Sequence, residues 1–191
     1  MGTIKTTNIE SISGSGTVTL GTSGETFALG SGVTVTGNGL VGITEADQWR
    51  LTSSITADTD PISSNLERVD TAGQGTLGTG MSVSSGYWTF PSTGIWKVEF
   101  DGYISCASGD NVGIAINVTT NDSSYAEVSR SLDGNDSAHS GSLHCNSLID
   151  VTDTANVKIS FKVFSVDSGS TLEGSSVKNT TYFTFIRLGD T

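Results

Sequence analysis

Residues Tyr87 to Phe100 read YWTFPSTGIWKVEF, and this run decides the fold. Pro91 presets φ for a turn position, and Gly94 supplies the freedom to leave it. Beyond the turn the side chains alternate. Trp96, Val98, Phe100, Ile104 and Cys106 fall on one phase, with Lys97, Glu99, Asp101 and Ser105 on the other. A period of two sustained this far is a strand with one buried and one wet face. The expected element is a hairpin: a strand, a tight turn and a long strand. Trp88, Phe90, Trp96, Val98 and Phe100 are its core anchors.

The same alternation recurs downstream. Val112, Ile114, Ile116 and Val118 share a phase, as do Leu143, Cys145, Ile149 and Val151, and then Val157, Ile159, Phe161 and Val163. The phase flips at Phe164 and Val166, which predicts a bulge or a strand end. Upstream, ISSNLERVDT (Ile62 to Thr71) reads as an early strand, and TAGQGTLGTGMSVSSG as a long loop leading to the hairpin. DGND (Asp133 to Asp136) reads as a polar turn. No window shows a 3.6-residue period, so almost no helix is expected. Short β-rich runs between Gly, Ser, Asn and Asp clusters argue for an all-β fold, a two-sheet antiparallel jelly roll of eight or nine strands. A sandwich of ~150 residues buries roughly 70% of its unfolded surface, enough for a core without staples.

Residues 1–44 differ from the rest of the chain. The run SGSGTVTLGTSGETFALGSGVTVTGNG has few large apolar residues and no Trp or Tyr. Its Thr/Val pieces cannot bury a core alone. They read as a Gly/Thr/Ser-rich β arm or short stem that pairs with copies of itself or with another protein, the alternative being a linker. The jelly roll is expected over residues 45–191.

The last strand, TYFTFIRLG, is apolar on both faces. Tyr182, Ile186 and Leu188 point one way, and Phe183 and Phe185 the other. In a sandwich only one face of a strand meets the opposite sheet, so the second needs another cover. That cover is either a neighbouring subunit or, with Phe183 and Phe185 beneath them, the chain's own Ser/Thr-rich loops.

The TFP-x-x-G-x-(aromatic) pattern of Thr89 to Trp96 resembles the start of jelly rolls in the C1q/tumour necrosis factor superfamily. The strings NLERVDT, GTGM and SSGYWTFP, with the C-terminal TYFTFIRLG, are similar to versions in bacteriophage and other virus structural proteins. This resemblance implies a homotrimer, with neighbouring subunits covering the second face of the last strand. Tyr182, Phe183 and Phe185 are then the expected interface residues. It also implies a virion setting, as a capsid decoration, head fibre or tail fibre, with capsid or tail proteins as partners. The alternative is a receptor-binding or carbohydrate-binding tip for a host surface glycan.

Composition narrows the remaining classes. Nine Lys and Arg against 20 Asp and Glu leave a net charge of −11, with no basic stripe for nucleic acid or an anionic membrane. No apolar run approaches a membrane span, and no signal peptide is evident near Met1. Two histidines, His139 and His144, beside one of two cysteines do not make a zinc spacing. His144 and Cys145, adjacent on one strand, point to opposite faces and cannot act as base and nucleophile. Asp133, Asn135 and Asp136 offer oxygen ligands without a calcium-loop pattern. No catalytic residue, cofactor or metal is assigned, and enzymatic activity is not expected. Cys106 and Cys145 share the inward phase of two predicted strands. A disulfide is conceivable, but cytosolic assembly and an adequate core favour free buried thiols. Tyr103 and Tyr125 are candidate outward aromatics for a sugar.

Overall fold

The computed structural model describes residues 42–167 and 169–191. The arm expected over residues 1–44 lies, up to residue 41, outside the described residues. What is described is all-β, with no helix among those residues. Two antiparallel sheets face each other across one core. The first sheet contains β1 (Ala46–Leu51), β2 (Leu66–Arg68), β5 (Gly94–Cys106), β8 (His139–Val151), β10 (Thr171–Leu172) and β11 (Tyr182–Gly189). Its lateral order is β8–β5–β11–β1–β2, with β10 pairing the far end of β5. The second contains β3 (Ser82–Ser84), β4 (Tyr87–Thr89), β6 (Asp110–Thr119), β7 (Ala126–Asn135) and β9 (Lys158–Phe164), in the order β3–β4–β9–β6–β7.

The run Tyr87–Phe100 is not a hairpin. β4 pairs with β3 and β9, and β5 with β8, β10 and β11, so Pro91–Gly94 carries the chain from one sheet to the other. The residues explain why. Phe90 and Trp96 are both buried, and their rings pack at 5.3 Å across the bend. The Trp96 indole N–H donates to the Ser92 carbonyl at 3.1 Å, which fixes the bend from inside. Gly94 has φ +135°, and a Cβ there would lie 2.4 Å from the Gly189 carbonyl oxygen, so no other residue fits.

Three further expectations change. The loop expected over TAGQGTLGTGMSVSSG contains β3, which pairs with β4. The strand expected over Ile62–Thr71 shrinks to Leu66–Arg68, because Asn65 takes a positive φ of 58° and Ile62 turns alone into the core. DGND is not a turn: Asp133, Gly134 and Asn135 finish β7, paired with Val112, Asn111 and Asp110 of β6. Backbone pairing outlasts the turn-prone side chains. The phase flip at Phe164 is a strand end, followed by Ser165 with φ 58°.

The core is aromatic at its centre. Trp88, Phe90, Trp96, Val98 and Phe100 are all buried. Trp88 packs on Phe185 at 5.1 Å and Phe161 on Phe183 at 4.4 Å, so rings from both sheets interdigitate. Each such pair contributes ~0.5–1.5 kcal/mol beyond area burial.

A polar network ties β1 to the segments after it. The Asp47 carboxylate is buried and accepts from the Trp49 indole N–H (2.8 Å), the Met81 backbone N–H (2.8 Å), the Thr76 hydroxyl (3.1 Å) and the Arg68 Nε (3.1 Å). Arg50, also buried, donates to Glu67, Asp70 and Thr71. Gly80 sits against the Asp47 carboxylate, where a Cβ would meet Asp47 Oδ2 at 2.8 Å. NLERVDT and GTGM meet in the inward Asp47 cluster, through Arg68 and Met81, while Glu67, Asp70 and Thr71 serve Arg50 on the opposite face of β1. The charges survive burial because each has several partners.

Candidate functional site

Phe183 and Phe185 are fully buried inside the chain's own sandwich, against Trp88, Phe100 and Phe161. They are therefore not surface interface residues. A strand apolar on both faces gives no sign of which face is inward, and the opposing sheet's aromatics decide it. The face left over belongs to Tyr182, Thr184 and Ile186, which share it with the outward residues of β1, β5 and β8.

Register lays this outward face out in three rows. Arg50, Tyr182, Asp101 and His144 form one; Gln48, Thr184, Glu99 and Asn146 the next; Ala46, Ile186, Lys97 and Leu148 the third. Leu148 is 64% exposed and Leu188, next to a register shift at the end of β11, 51% exposed. Most polar groups on the face are bonded to one another, Asp150 at the end of β8 being the exposed exception. Lys97 Nζ meets Glu99 at 2.7 Å, and His144 Nδ1 meets Asp101 at 2.8 Å, with Asn146 Nδ2 3.0 Å from His144 Nε2. Asn179 donates to Gln48 at 2.6 Å, which in turn donates to Thr184 at 2.9 Å. Burial, then Asp101 and Glu99, push the Tyr182 hydroxyl above its ordinary range. The surface is of mixed polarity, with isoleucine, leucine and tyrosine at its apolar points.

The cysteines are free and buried. Cys106 pairs with His139 and Cys145 with Phe100, so the two lie six residues apart along the β5–β8 ladder, roughly 20 Å. No bridge spans that distance. Burial pushes the Cys145 thiol up to about 12. His144 lies on the opposite face from it, as the strand period requires. His139 contacts Asp133 at 3.3 Å at the edge of the sandwich. Among the described residues, no group of three or more His, Cys, Asp or Glu side chains could hold a metal ion, Asp133 and Asp136 included.

Tyr103 and Tyr125 do not come together. Tyr103 stands 41% exposed on the outward face of the first sheet. Tyr125 packs instead on Tyr87, ring centroids 4.9 Å apart and planes inclined by 38°, on the outer surface of the second sheet. The pair borders a cleft of about 430 Å³ lined also by Ser84, Ser85, Thr89, Asp122, Ser123 and Lys158. Lys158 Nζ is held at 2.7 Å from the Asp122 carboxylate. Two tight turns frame the cleft. Ser85 and Gly86, both with positive φ, make the two-residue turn between β3 and β4. In the β6–β7 loop the Asn121 carboxamide oxygen accepts from the Thr119 hydroxyl and from the backbone N–H groups of Ser123 and Ser124. Sequence reasoning named Tyr125 but missed Tyr87, the first residue of β4, and so missed the cleft.

No family model matches the chain, and no curated protein matches it. Solved structures do match in fold. The structure of Eiger TNF from S. frugiperda superposes with a TM-score of 0.59 at 11% identity, covering 76% of this chain and 93% of that one. The crystal structure of murine APRIL at pH 5.0 gives 0.56 at 11% identity, covering 75% and 98%. At this identity the likeness is one of fold: a two-sheet antiparallel jelly roll of the TNF type.

Proposed function

We propose that this chain is a virion structural protein, a homotrimeric accessory fixed to the particle through residues 1–44. The observation that carries self-association is the outward face of β1, β11, β5 and β8. Apart from Asp150 at the end of β8, its polar groups are already bonded within the chain, which limits the cost of covering them, while Tyr182, Ile186 and Leu148 offer apolar contact. The interface falls on these three residues and Leu188, with Tyr182 retained from the sequence-based set. The virion setting rests on the resemblance of NLERVDT, GTGM and the C-terminal strand to virus structural proteins. The buried network gives two of those strings a structural reason to be kept together.

Light scattering tests self-association. The full chain is expected at three times 19.7 kDa, and a soluble monomer would sink the reading. The attachment role is tested by adding full-length protein, and protein beginning at Glu45, to particles that lack it. Only the full-length form is expected to join. Equal binding by both would move the anchor into the jelly roll. A second reading, a tip that recognises host glycans, is favoured by the tyrosine cleft. Under it, loss of the protein abolishes adsorption; under the first, adsorption persists and the particle loses robustness to heat.

A further inference from the structure

We infer that the cleft between Tyr87 and Tyr125 is a binding subsite for an uncharged pyranose sugar. The chemistry is a match of three kinds. A pyranose ring has an apolar face of C–H groups that packs on an aromatic ring, and a rim of hydroxyls that both donate and accept. Tyr87, 39% exposed, and Tyr125, half-buried, present ring surface and phenol hydroxyls at one wall. Opposite chemistry comes from Asp122 and Lys158. Held at 2.7 Å, they offer an acceptor and a donor side by side, the arrangement that a vicinal diol meets with one hydroxyl on each. Ser84, Ser85, Thr89 and Ser123 add short hydroxyls along the rim.

The same pair sets the charge preference. Lys158 is neutralised by Asp122, and the chain carries −11 overall, so an anionic sugar gains nothing from the site and is repelled by the molecule. At about 430 Å³ the cleft falls within the ~300–1,000 Å³ usual for small-ligand sites. Its walls are set before any ligand arrives. The Ser85–Gly86 turn fixes Tyr87 at the head of β4, and the Asn121 carboxamide fixes the loop that carries Asp122 and Tyr125. The Asp122 N–H is also bound to the Asn156 carbonyl at 3.1 Å. Burial, Asp122 and then Tyr87 raise the Tyr125 hydroxyl above its usual range, so it stays a neutral donor. The cleft is open to solvent, so affinity for one sugar ring is on the order of millimolar.

The proposal gives the host-glycan reading a site without depending on it, since a sugar subsite built within one chain can exist whether or not adsorption uses it. The test is saturation-transfer NMR on the full-length protein with methyl glucoside, methyl galactoside and methyl mannoside, each at about 10 mM, well above the expected millimolar affinity, and methyl glucuronide as the charged control. Transfer to ring C–H protons of at least one neutral glycoside is expected, with the glucuronide at least fivefold weaker. Tyr125→Ala should reduce transfer at least fivefold. Ser123→Trp, which fills the cleft from an exposed position, should do the same. Both variants must keep the wild-type melting curve, and the exposed Ser123 site serves where Tyr125→Ala does not. Three results would overturn the inference: no transfer from any neutral glycoside, transfer unchanged in both variants, or stronger binding of the glucuronide. Adsorption of particles is scored separately. Sugar binding with normal adsorption rejects the host-glycan reading alone.

Discussion

At the scale of single residues, the Asp47 carboxylate has the largest local consequence. It is the acceptor for the Trp49 indole and the Met81 amide, two donors that its removal would leave unpaired. Asp47→Ala should therefore cost about 1–3 kcal/mol for each donor left unpaired, read from chemical denaturation. A total loss below about 1 kcal/mol would mean the network relaxes onto other acceptors. The cysteines make a second prediction. With Cys145 pushed up to about 12 by burial, almost no thiolate exists near neutral pH. Neither thiol should react with a colorimetric disulfide reagent in the native protein, and both should react at once in denaturant. A fast native phase would mean that the β5–β8 ladder opens.

At the scale of elements, β11 separates the core face from the outward face proposed to self-associate. Phe183→Asp places a charge among Trp88, Phe100 and Phe161, and should prevent folding. Leu148→Asp and Ile186→Asp alter only the outward face, so each should fold with a loss below about 1 kcal/mol yet scatter light as a monomer. If Leu148→Asp and Ile186→Asp both remain trimeric, the contact lies elsewhere. Much of this level was legible in the sequence. The alternation of β5, β6, β8 and β9 announces strand, face and core together. What alternation cannot give is the partner strand. The bend at Pro91 looks the same whether the chain turns back into its own sheet or crosses to the other, and only Phe90 meeting Trp96 decides for the crossing. The faces of β11 were undecidable for a related reason, because both are apolar. The tyrosine cleft was hidden by distance along the chain, since Tyr87 and Tyr125 meet only after β9 has brought β4 and β6 into one sheet.

At the scale of the whole molecule, the connections set the response to acid. Asp110 is held below its ordinary 3.8 first by the Ser170 hydroxyl, then by the backbone N–H groups of Asn111 and Asp167. Asp153 is held low by the Ala155 N–H and the Asn156 carboxamide. For both, the folded value lies below the unfolded one. Their stabilisation is present above pH ~4 and is lost as pH falls through the folded value. Melting temperature should be flat from neutrality to about pH 5 and then drop, and the double change Asp110→Asn with Asp153→Asn should flatten the drop. An identical acid limb in the double variant would assign it to other carboxylates.

The position of β1 has a mechanical meaning. Any tension on the chain ahead of residue 45 enters the domain at this strand, which is not at an edge: it is paired with β11 at five positions and with β2 at three. Before it, Glu45 grips the Thr79 and Gly80 amides, and Ala46 exchanges backbone bonds with Leu77. A pull along the strand axis loads both ladders in shear, so their bonds share the force rather than parting one after another. A load applied there would meet many bonds at once, where an edge strand would offer them singly.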